Sequence, residues 1–339
     1  MAKKTIKQKS IKVPVKGQKI AIPKSLMLED GDTVIITIED DGDDPRDTDD
    51  GMPYGEEIDT LLEKRLVSVG INDYRDNRIS DLTGCVPDAT NFSRKLNSDF
   101  GFSFDRDHFR FLTDDAATKA NIISQLSWLV AETGPHDVGV FYYSGHGSQV
   151  PDQNPPNDDE PDRLDEVIVP HDTNTRASNP ISTVIRDDEI AAILANINPE
   201  AHFVVVFDSC NSGTGTRQVP LQPDDGRARV AEVSKHATNL KGLFANAANS
   251  GLRGAHAFSG PNHLLLAAAH SSQLSWEFGG QGAFTSSLNQ NMRPGRTYKE
   301  VMDAVAPAVD RRVMRAKSVH QTPQLEGSPQ NNPLFAIVI

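Results

Sequence analysis

The amino-acid sequence predicts an α/β fold with a mainly parallel, six-stranded sheet that has helices on both faces. The first observation is a series of short runs in which nearly every residue is apolar, without the alternating polar positions of a strand that faces water. The second is that segments with a helical spacing of apolar residues lie between these runs, as βαβ units require. The predicted strands are residues 66–71, 138–143, 167–169, 203–207, 263–269 and 334–339.

Five helices are predicted between and after these strands. In the second of them Ile122, Leu126 and Leu129 fall on one face, and Asp114 or Asp115 is the predicted N-cap. Each helix is followed by a turn or a strand, so both faces of the sheet can be covered. The predicted helices are a segment that begins over residues 88–96, and residues 114–130, 186–197, 282–292 and 298–317.

The first sixty residues differ in composition from the rest of the chain. Residues 1–28 carry eight lysines and no acidic residue, whereas residues 39–50 are mostly acidic. Residues 33–38 between them are β-branched and follow a turn signal. We therefore predict a short β-hairpin pro-segment with a disordered acidic linker over residues 1–60, and a main domain over residues 61–339. This segment also loosely resembles the swapped-hairpin DNA-binding modules of the AbrB type, and that alternative stays open.

Composition excludes several classes of protein. The 339 residues carry 34 basic and 47 acidic side chains, a formal charge of -13, so duplex nucleic acid is not an expected partner of the main domain. Two cysteines cannot form a disulfide framework or a four-thiolate zinc site. Because no apolar run reaches about 18 residues and the N-terminus lacks the apolar core of a secretory signal, we expect a soluble protein without membrane association. The thiols favour a reducing compartment, so we expect a cytoplasmic protein, and we further expect a monomer.

Two predicted strands end in reactive side chains. The strand at residues 138–143 is followed by Ser144-Gly145-His146-Gly147, and the strand at 203–207 by Asp208-Ser209-Cys210. Since the carboxyl ends of parallel strands meet at one edge of a sheet, His146 and Cys210 are expected to lie close together. An imidazole can take the thiol proton, and the main chain at Gly147 and Cys210 can supply an oxyanion hole. Taken singly, each side chain also fits a structural histidine or an inert buried thiol.

Five motifs, in order, resemble those of caspase-type cysteine peptidases, and specifically type I metacaspases and their bacterial relatives. The resemblance implies a caspase/haemoglobinase fold, with His146 as general base and Cys210 as nucleophile. It divides the domain into a large-subunit part (61–217), a loop (218–261) and a small-subunit part (262–339). Asn211 follows the nucleophile where family members commonly carry His. The motifs are YYSGHGSQV, DEPDRLDEVIVPHD, IRDDEI, FDSCNSGTGTR and QTPQLEG.

Substrate preference follows from two acids. By the resemblance, Asp88 and Asp208 occupy positions where metacaspases bind the substrate residue before the cleaved bond, called P1. Carboxylates there predict Arg or Lys at P1, because a buried guanidinium needs an ionic partner. The alternatives are a helix cap for Asp88 and a solvated strand-end acid for Asp208. The second thiol, Cys85, is either a buried turn residue or a supporting nucleophile.

The resemblance also implies activating Ca²⁺ bound by Asp165, Asp187 and Asp188, with no organic cofactor. Carboxylate oxygens are suitable calcium ligands. A further acid expected after the nucleophile is absent, and Arg217 lies in that loop. The alternative is that Asp187 and Asp188 cap the helix that follows them.

The loop at residues 218–261 contains several Arg and Lys residues, so a peptidase selective for these residues is expected to cut itself there or near the N-terminal lysines. The basic N-terminal segment could instead occupy the acidic pocket as a pro-region. The leading hypothesis is therefore a self-processing cysteine endopeptidase acting on protein substrates after Arg or Lys. The alternative is a catalytically silent, caspase-like protein that binds basic segments. A nucleotide-binding or redox protein would need a glycine-rich phosphate loop or a C-x-x-C motif, and neither is present.

Overall fold

The structure is a computed structural model, and it describes residues 62–152, 164–210, 226–233 and 258–336, together with the backbone of residues 8–14 and 33–39. The chain divides into two compact units, Met1–Thr60 and Leu61–Ile339. The predicted acidic linker lies outside the described residues.

The second unit alternates strands and helices along most of its length. The strands are β3 (Lys64–Gly70), β4 (Phe109–Thr113), β5 (Val138–Ser144), β6 (Gly147–Pro151), β7 (Leu164–Ile168), β8 (Ile185–Arg186), β9 (His202–Asp208), β10 (Arg227–Ala228), β11 (Leu264–Ala267), β12 (Trp276–Phe278), β13 (Gln281–Gly282) and β14 (Gln324–Glu326). The helices are α1 (Cys85–Phe100), α2 (Lys119–Glu132), α3 (Asp187–Leu194), α4 (Ala283–Asn291) and α5 (Tyr298–Lys317). Within the described residues, no helix has the length and apolar character needed to cross a membrane.

The first unit contains strands β1 (Gln8–Pro14) and β2 (Thr33–Glu39). They pair in parallel, with Gln8 opposite Thr33 and Pro14 opposite Glu39. The predicted β-hairpin is therefore wrong in its geometry. A hairpin needs antiparallel strands joined by a short turn, whereas the segment between β1 and β2, residues 15–32, has the length of about a dozen or more residues that a parallel connection needs.

The main sheet confirms the predicted α/β class. Its strand order is β14-β11-β9-β5-β3-β4, and every pair is parallel except β11 with β14. Apolar side chains of the strands enter two buried clusters. One cluster includes residues of α2 and α3, and the other includes residues of α1, α4 and α5. The sheet is thus covered on both faces, which is why its central strands contain almost no polar residues.

Two of the six predicted strands are not in this sheet. The run at residues 167–169 overlaps β7, which belongs to a separate antiparallel sheet of order β6-β7-β8. The cause is β6, which begins directly after the His146 turn and provides an antiparallel neighbour for β7. The last predicted strand, residues 334–339, is also wrong over its described part: Phe335 has φ of 51°, a left-handed conformation that interrupts an extended chain. The edge positions are instead taken by β4 and β14.

Helix α2 begins later than predicted. Its N-cap is Thr118, whose hydroxyl accepts the main-chain N–H of Asn121 at 3.2 Å. Asp114 instead begins a short 3₁₀ turn, and its carboxylate accepts the N–H groups of Asn72 and Asp73 at 2.7 and 3.0 Å. The loop after β3 is therefore hydrogen-bonded to the segment that leads into α2. This loop also carries groups that contact the predicted dyad.

Candidate active site

Neighbouring strands place the predicted dyad at one edge of the sheet. In the parallel pair of β5 with β9, Ser144 lies opposite Asp208. His146 and Cys210 each follow two residues later, and both are buried, at 1% and 0% exposure. The structure thus brings both predicted catalytic residues to adjacent strand ends.

His146 is held from three directions. Its Nε2 lies 2.7 Å from the main-chain oxygen of Ser80, an atom that can only accept, so Nε2 carries the proton and Nδ1 keeps its lone pair. Tyr74 Oη accepts the His146 main-chain N–H at 2.8 Å, and Tyr143 Oη donates to the His146 carbonyl at 2.8 Å. Burial lowers the pKa of His146 to about 4, opposed by the hydrogen bond to Ser80. The imidazole is therefore neutral at pH 7, the form that a general base requires.

The thiol of Cys210 contacts the main chain of Ser275. The Ser275 N–H donates to Sγ at 2.7 Å, and Sγ lies 3.2 Å from the Ser275 carbonyl oxygen. Burial raises the pKa of Cys210 to about 12, opposed by the hydrogen bond to Ser275. Since a neutral imidazole lies at the adjacent strand end, the thiolate has to form by proton transfer during attack rather than beforehand.

A segment of the predicted loop, Gly226–Val233, lies across this edge of the sheet; we call it the cleft segment. Ala228 pairs with Trp276 of β12 in antiparallel fashion, and the Arg229 N–H donates to the Ser275 carbonyl at 2.9 Å. The Arg229 carbonyl oxygen accepts two main-chain N–H groups, from Gly147 at 3.0 Å and from Cys210 at 3.2 Å. These are the two donors that the sequence predicts for an oxyanion hole.

The side chain of Arg229 is completely buried in an acidic pocket. Its Nη2 lies 2.5 Å from Asp88 Oδ2 and 3.5 Å from Glu277 Oε2, and its Nη1 lies 2.9 Å from Asp208 Oδ2. Nη1 also donates to Ser144 Oγ at 2.9 Å. The structure therefore brings the two predicted acids together around a guanidinium, as binding of a basic side chain requires.

The charged groups in this pocket shift one another's pKa values. Burial raises the pKa of Asp88 to about 6; Asp208 adds to the increase, and Arg229 opposes it. Burial disfavours the charge of Arg229, but the surrounding carboxylates hold its pKa well above the usual range. Three acids around one guanidinium leave excess negative charge, so the pocket favours a cation.

Sequence reasoning missed Glu277. Its carboxylate also binds the loop before α1, because Oε1 accepts the N–H and hydroxyl of Thr83 at 2.9 Å and Oε2 accepts the Gly84 N–H at 3.1 Å. An acid between two aromatic residues, Trp276 and Phe278, was the available signal.

The main chain at Gly282 lies directly against the acidic pocket and forms its floor. The Gly282 N–H donates to Asp88 Oδ2 at 2.7 Å. A Cβ at this position would lie 2.4 Å from Asp208 Oδ2 and 2.7 Å from Arg229 Nη1. Glycine is therefore required here by space rather than by backbone conformation.

The residues predicted to bind calcium lie on β7 and at the start of α3. Arg186 Nη1 lies between two of them, 3.3 Å from Asp165 Oδ2 and 3.1 Å from Asp188 Oδ2. Asp187 Oδ1 accepts the N–H of Asp188 at 2.9 Å. In the described part of the chain, no three His, Cys, Asp or Glu side chains are arranged to hold a metal ion. As placed, these residues suit a guanidinium better than a calcium ion, and the predicted calcium site stays a prediction.

The remaining predicted features are located as follows. Cys85 is the first residue of α1 and is completely buried, and burial raises the pKa of its thiol. Asn211 and Arg217 lie outside the described residues.

Part of the chain is similar to a known protein family. Residues 64–218 match the family model of the metacaspase, peptidase C14 domain. This part, a little under half of the chain, is therefore similar to the peptidase domain of metacaspases, and the predicted α/β fold is confirmed.

The chain is similar to Metacaspase-1A of Aspergillus terreus, with 29% identity over 304 residues that cover 78% of this chain and 70% of that protein. It is 34% identical to Metacaspase-1A of Aspergillus oryzae over 51% of this chain and 40% of the relative, and 33% identical to Metacaspase-1 of Emericella nidulans over 56% and 46%. The chain thus spans less than half the length of the last two relatives. The crystal structure of protein GSU0716 from Geobacter sulfurreducens matches with a TM-score of 0.57 and 23% identity, covering 82% of this chain and 100% of that one, which shows the fold alone.

Proposed function

We propose that this protein is a cysteine peptidase of the metacaspase type that hydrolyses peptide bonds after arginine, and less efficiently after lysine, through His146 and Cys210. One observation supports the proposal above the others: the chain's own Arg229 occupies the acidic pocket while its carbonyl oxygen accepts hydrogen bonds from Gly147 and Cys210. A P1 residue poised for cleavage needs both contacts at once.

The reaction follows from these positions. Cys210 Sγ attacks the P1 carbonyl carbon while its proton passes to His146 Nδ1, and the Gly147 and Cys210 N–H groups stabilise the oxyanion. When the tetrahedral intermediate collapses, the carbon–nitrogen bond breaks and His146 returns the proton to the leaving amine. Water, deprotonated by the same imidazole, then hydrolyses the thioester and restores the thiol.

Arginine fits the pocket better than lysine. The guanidinium contacts Asp88 and Glu277 through one nitrogen and Asp208 through the other. A single ammonium group cannot reproduce this forked arrangement, although the excess negative charge attracts it.

The experiment is a panel of fluorogenic peptides that end in Arg, Lys, Asn or Asp. We expect hydrolysis of the Arg peptide, weaker hydrolysis of the Lys peptide and no hydrolysis of the Asn and Asp peptides.

A variant of the pocket tests the role of the acids. Asp88→Asn should lower kcat/KM for the Arg peptide by an amount that corresponds to a barrier about 2–5 kcal/mol higher, the usual cost of removing one partner of a buried charge pair. Asp303→Asn, which removes an exposed partner of Lys299 on α5, is the matched control. Binding of basic peptides without hydrolysis would instead favour the catalytically silent alternative.

Self-processing is the second part of the proposal. The cleft segment presents the bond between Arg229 and Val230 to the dyad, which supports cleavage at this bond. Until the segment leaves, it also blocks other substrates, because the pocket holds one basic side chain. The enzyme is therefore proposed to be a zymogen that inhibits itself with its own first substrate.

For calcium, we propose that Ca²⁺ binds Asp165, Asp187 and Asp188 only in competition with Arg186. The support is the position of the Arg186 guanidinium between two of these carboxylates. A cation supplied by the chain leaves less free energy for binding an external one.

A further inference from the structure

The cleft segment continues in contact with the protein beyond Arg229. Val230 forms a parallel bridge with Gly147. The Ala231 N–H donates to the Gly147 carbonyl at 3.0 Å, and Ser148 Oγ donates to the Ala231 carbonyl at 2.7 Å. Both main-chain polar groups of Ala231 are therefore satisfied by β6, in the manner of a peptide that adds to a strand.

Side-chain exposure alternates along the same residues. Val230 is half-buried and Glu232 is exposed, whereas Ala231 and Val233 are 6% and 1% exposed. This two-residue period is that of an extended strand with one face against the protein. Ala231 and Val233 both belong to the apolar cluster on one face of the main sheet.

The space around these two side chains is selective. Ala231 is almost fully enclosed although it has only a methyl group, so a long side chain at this position has no room without displacement of the surrounding core. A charge in place of Val233 would lose its hydration without an evident partner. The exposed Glu232 position carries neither restriction.

We infer that the enzyme also selects the residues after the cleaved bond: a small residue at the second position (P2′) and an aliphatic residue at the fourth (P4′). This inference rests on the proposed function, since it takes Arg229 as P1. Ser148 and the Gly147 carbonyl bind the substrate main chain, and the substrate class is an extended peptide with a basic residue followed by alternating apolar residues.

The test uses the full chain and internally quenched octapeptides with the sequence of residues 226–233, GRARVAEV, in which Arg227 is replaced by Gln so that Arg229 is the single basic residue. Replacing P2′ Ala by Leu or Lys, or P4′ Val by Asp, should lower kcat/KM at least tenfold. Replacing the exposed P3′ Glu by Gln, the matched control, should change it less than twofold. Because only the peptides vary, no result depends on folding of a variant enzyme.

A short reporter that ends at P1 Arg separates the two proposals. Its hydrolysis together with equal rates for all octapeptides would overturn the selectivity after the cleaved bond and leave the proposed function standing. Failure to hydrolyse both the reporter and the octapeptides would overturn both. As an independent measurement, Ser148→Ala should lower the ratio of kcat/KM for the parent octapeptide to that for the reporter at least fivefold; an unchanged ratio would contradict the role of Ser148.

Discussion

At the level of single residues, the hydrogen bond between His146 Nε2 and the Ser80 carbonyl determines which nitrogen can act as base. Only Nδ1 keeps a lone pair, and it has no hydrogen-bond partner among the described residues. The imidazole therefore needs no acidic partner to fix its tautomer, since a main-chain oxygen performs that role.

The dyad gives the first prediction. Cys210→Ala and His146→Ala should each lower kcat for the arginyl reporter by at least about 10³-fold, because residues that act as a unit lose rate together. Circular dichroism should show an unchanged fold for Cys210→Ala. Cys85→Ala is the matched thiol control, and loss of activity in Cys85→Ala but not in Cys210→Ala would transfer the nucleophile to the second cysteine.

The pKa of Asp88 gives the second prediction. Burial raises this pKa from its ordinary value of 3.8 to about 6, so the carboxylate loses its charge at a higher pH than usual. This value applies while Arg229 occupies the pocket; since the guanidinium lowers the pKa of Asp88, the pocket without it takes up a proton at a higher pH. An arginyl reporter must then displace this proton as the pH falls towards 6, so KM for the reporter should rise. His146, with a pKa of about 4, stays neutral above pH 5.

Steady-state kinetics between pH 5 and 8 measure this effect. Asp88→Asn should bind the reporter more weakly and show a flat KM over the same range. An identical acidic limb in the wild type and in Asp88→Asn would assign the titration to another group.

At the level of secondary structure, β5 and β9 can be predicted because both have a continuous apolar run, are buried throughout and lead into a small-residue turn with a reactive side chain. The edge strands β4 and β14 were not, since they are only partly buried and lack that apolar signal. The sequence analysis assigns the run at residues 167–169 to the main sheet, which is wrong, because an apolar run does not reveal which strand it pairs with.

The acidic pocket was partly predictable for a similar reason. Asp88 and Asp208 lie next to recognisable motifs, whereas Glu277 lies about 70 residues beyond Asp208 in a segment without one. The composition of the loop at residues 218–261 predicts self-cleavage there, which stays a prediction, and nothing in the sequence distinguishes Arg229 from the other basic residues of the loop. Its selection depends on long-range pairing of β10 with β12.

The connection between β7 and α3 gives the third prediction. In the wild type, millimolar Ca²⁺ should shift the melting temperature little, because the Arg186 guanidinium already lies between Asp165 and Asp188. Arg186→Met removes that cation and keeps the aliphatic stem, so Ca²⁺ should raise its melting temperature by about 2–4 °C.

Calorimetry with and without Ca²⁺ measures the shift, and EGTA should reverse it. Arg176→Met, which changes an exposed arginine 4.0 Å from Asp76, is the control. Equal calcium shifts in the wild type and Arg186→Met would refute the competition between Arg186 and the metal.

At the level of the whole molecule, the described catalytic centre is closed by the chain's own substrate-like segment. A protein with a net charge of -13 and an acidic pocket attracts basic peptides, so an internal arginine is an effective competitor for the same site. Whether residues 1–60 also regulate the site stays a prediction of the sequence.

The central claim is that the bond between Arg229 and Val230 lies in the catalytic centre, and intact mass spectrometry of the purified chain during incubation tests it most directly. The wild type should release a fragment that begins at Val230. Cys210→Ala should stay intact, and Arg229→Gln should abolish this cut, whereas Arg227→Gln, two residues before Arg229 on the same segment, should retain it. An active enzyme that hydrolyses arginyl peptides but leaves this bond uncut, or cuts itself only elsewhere, would contradict the account.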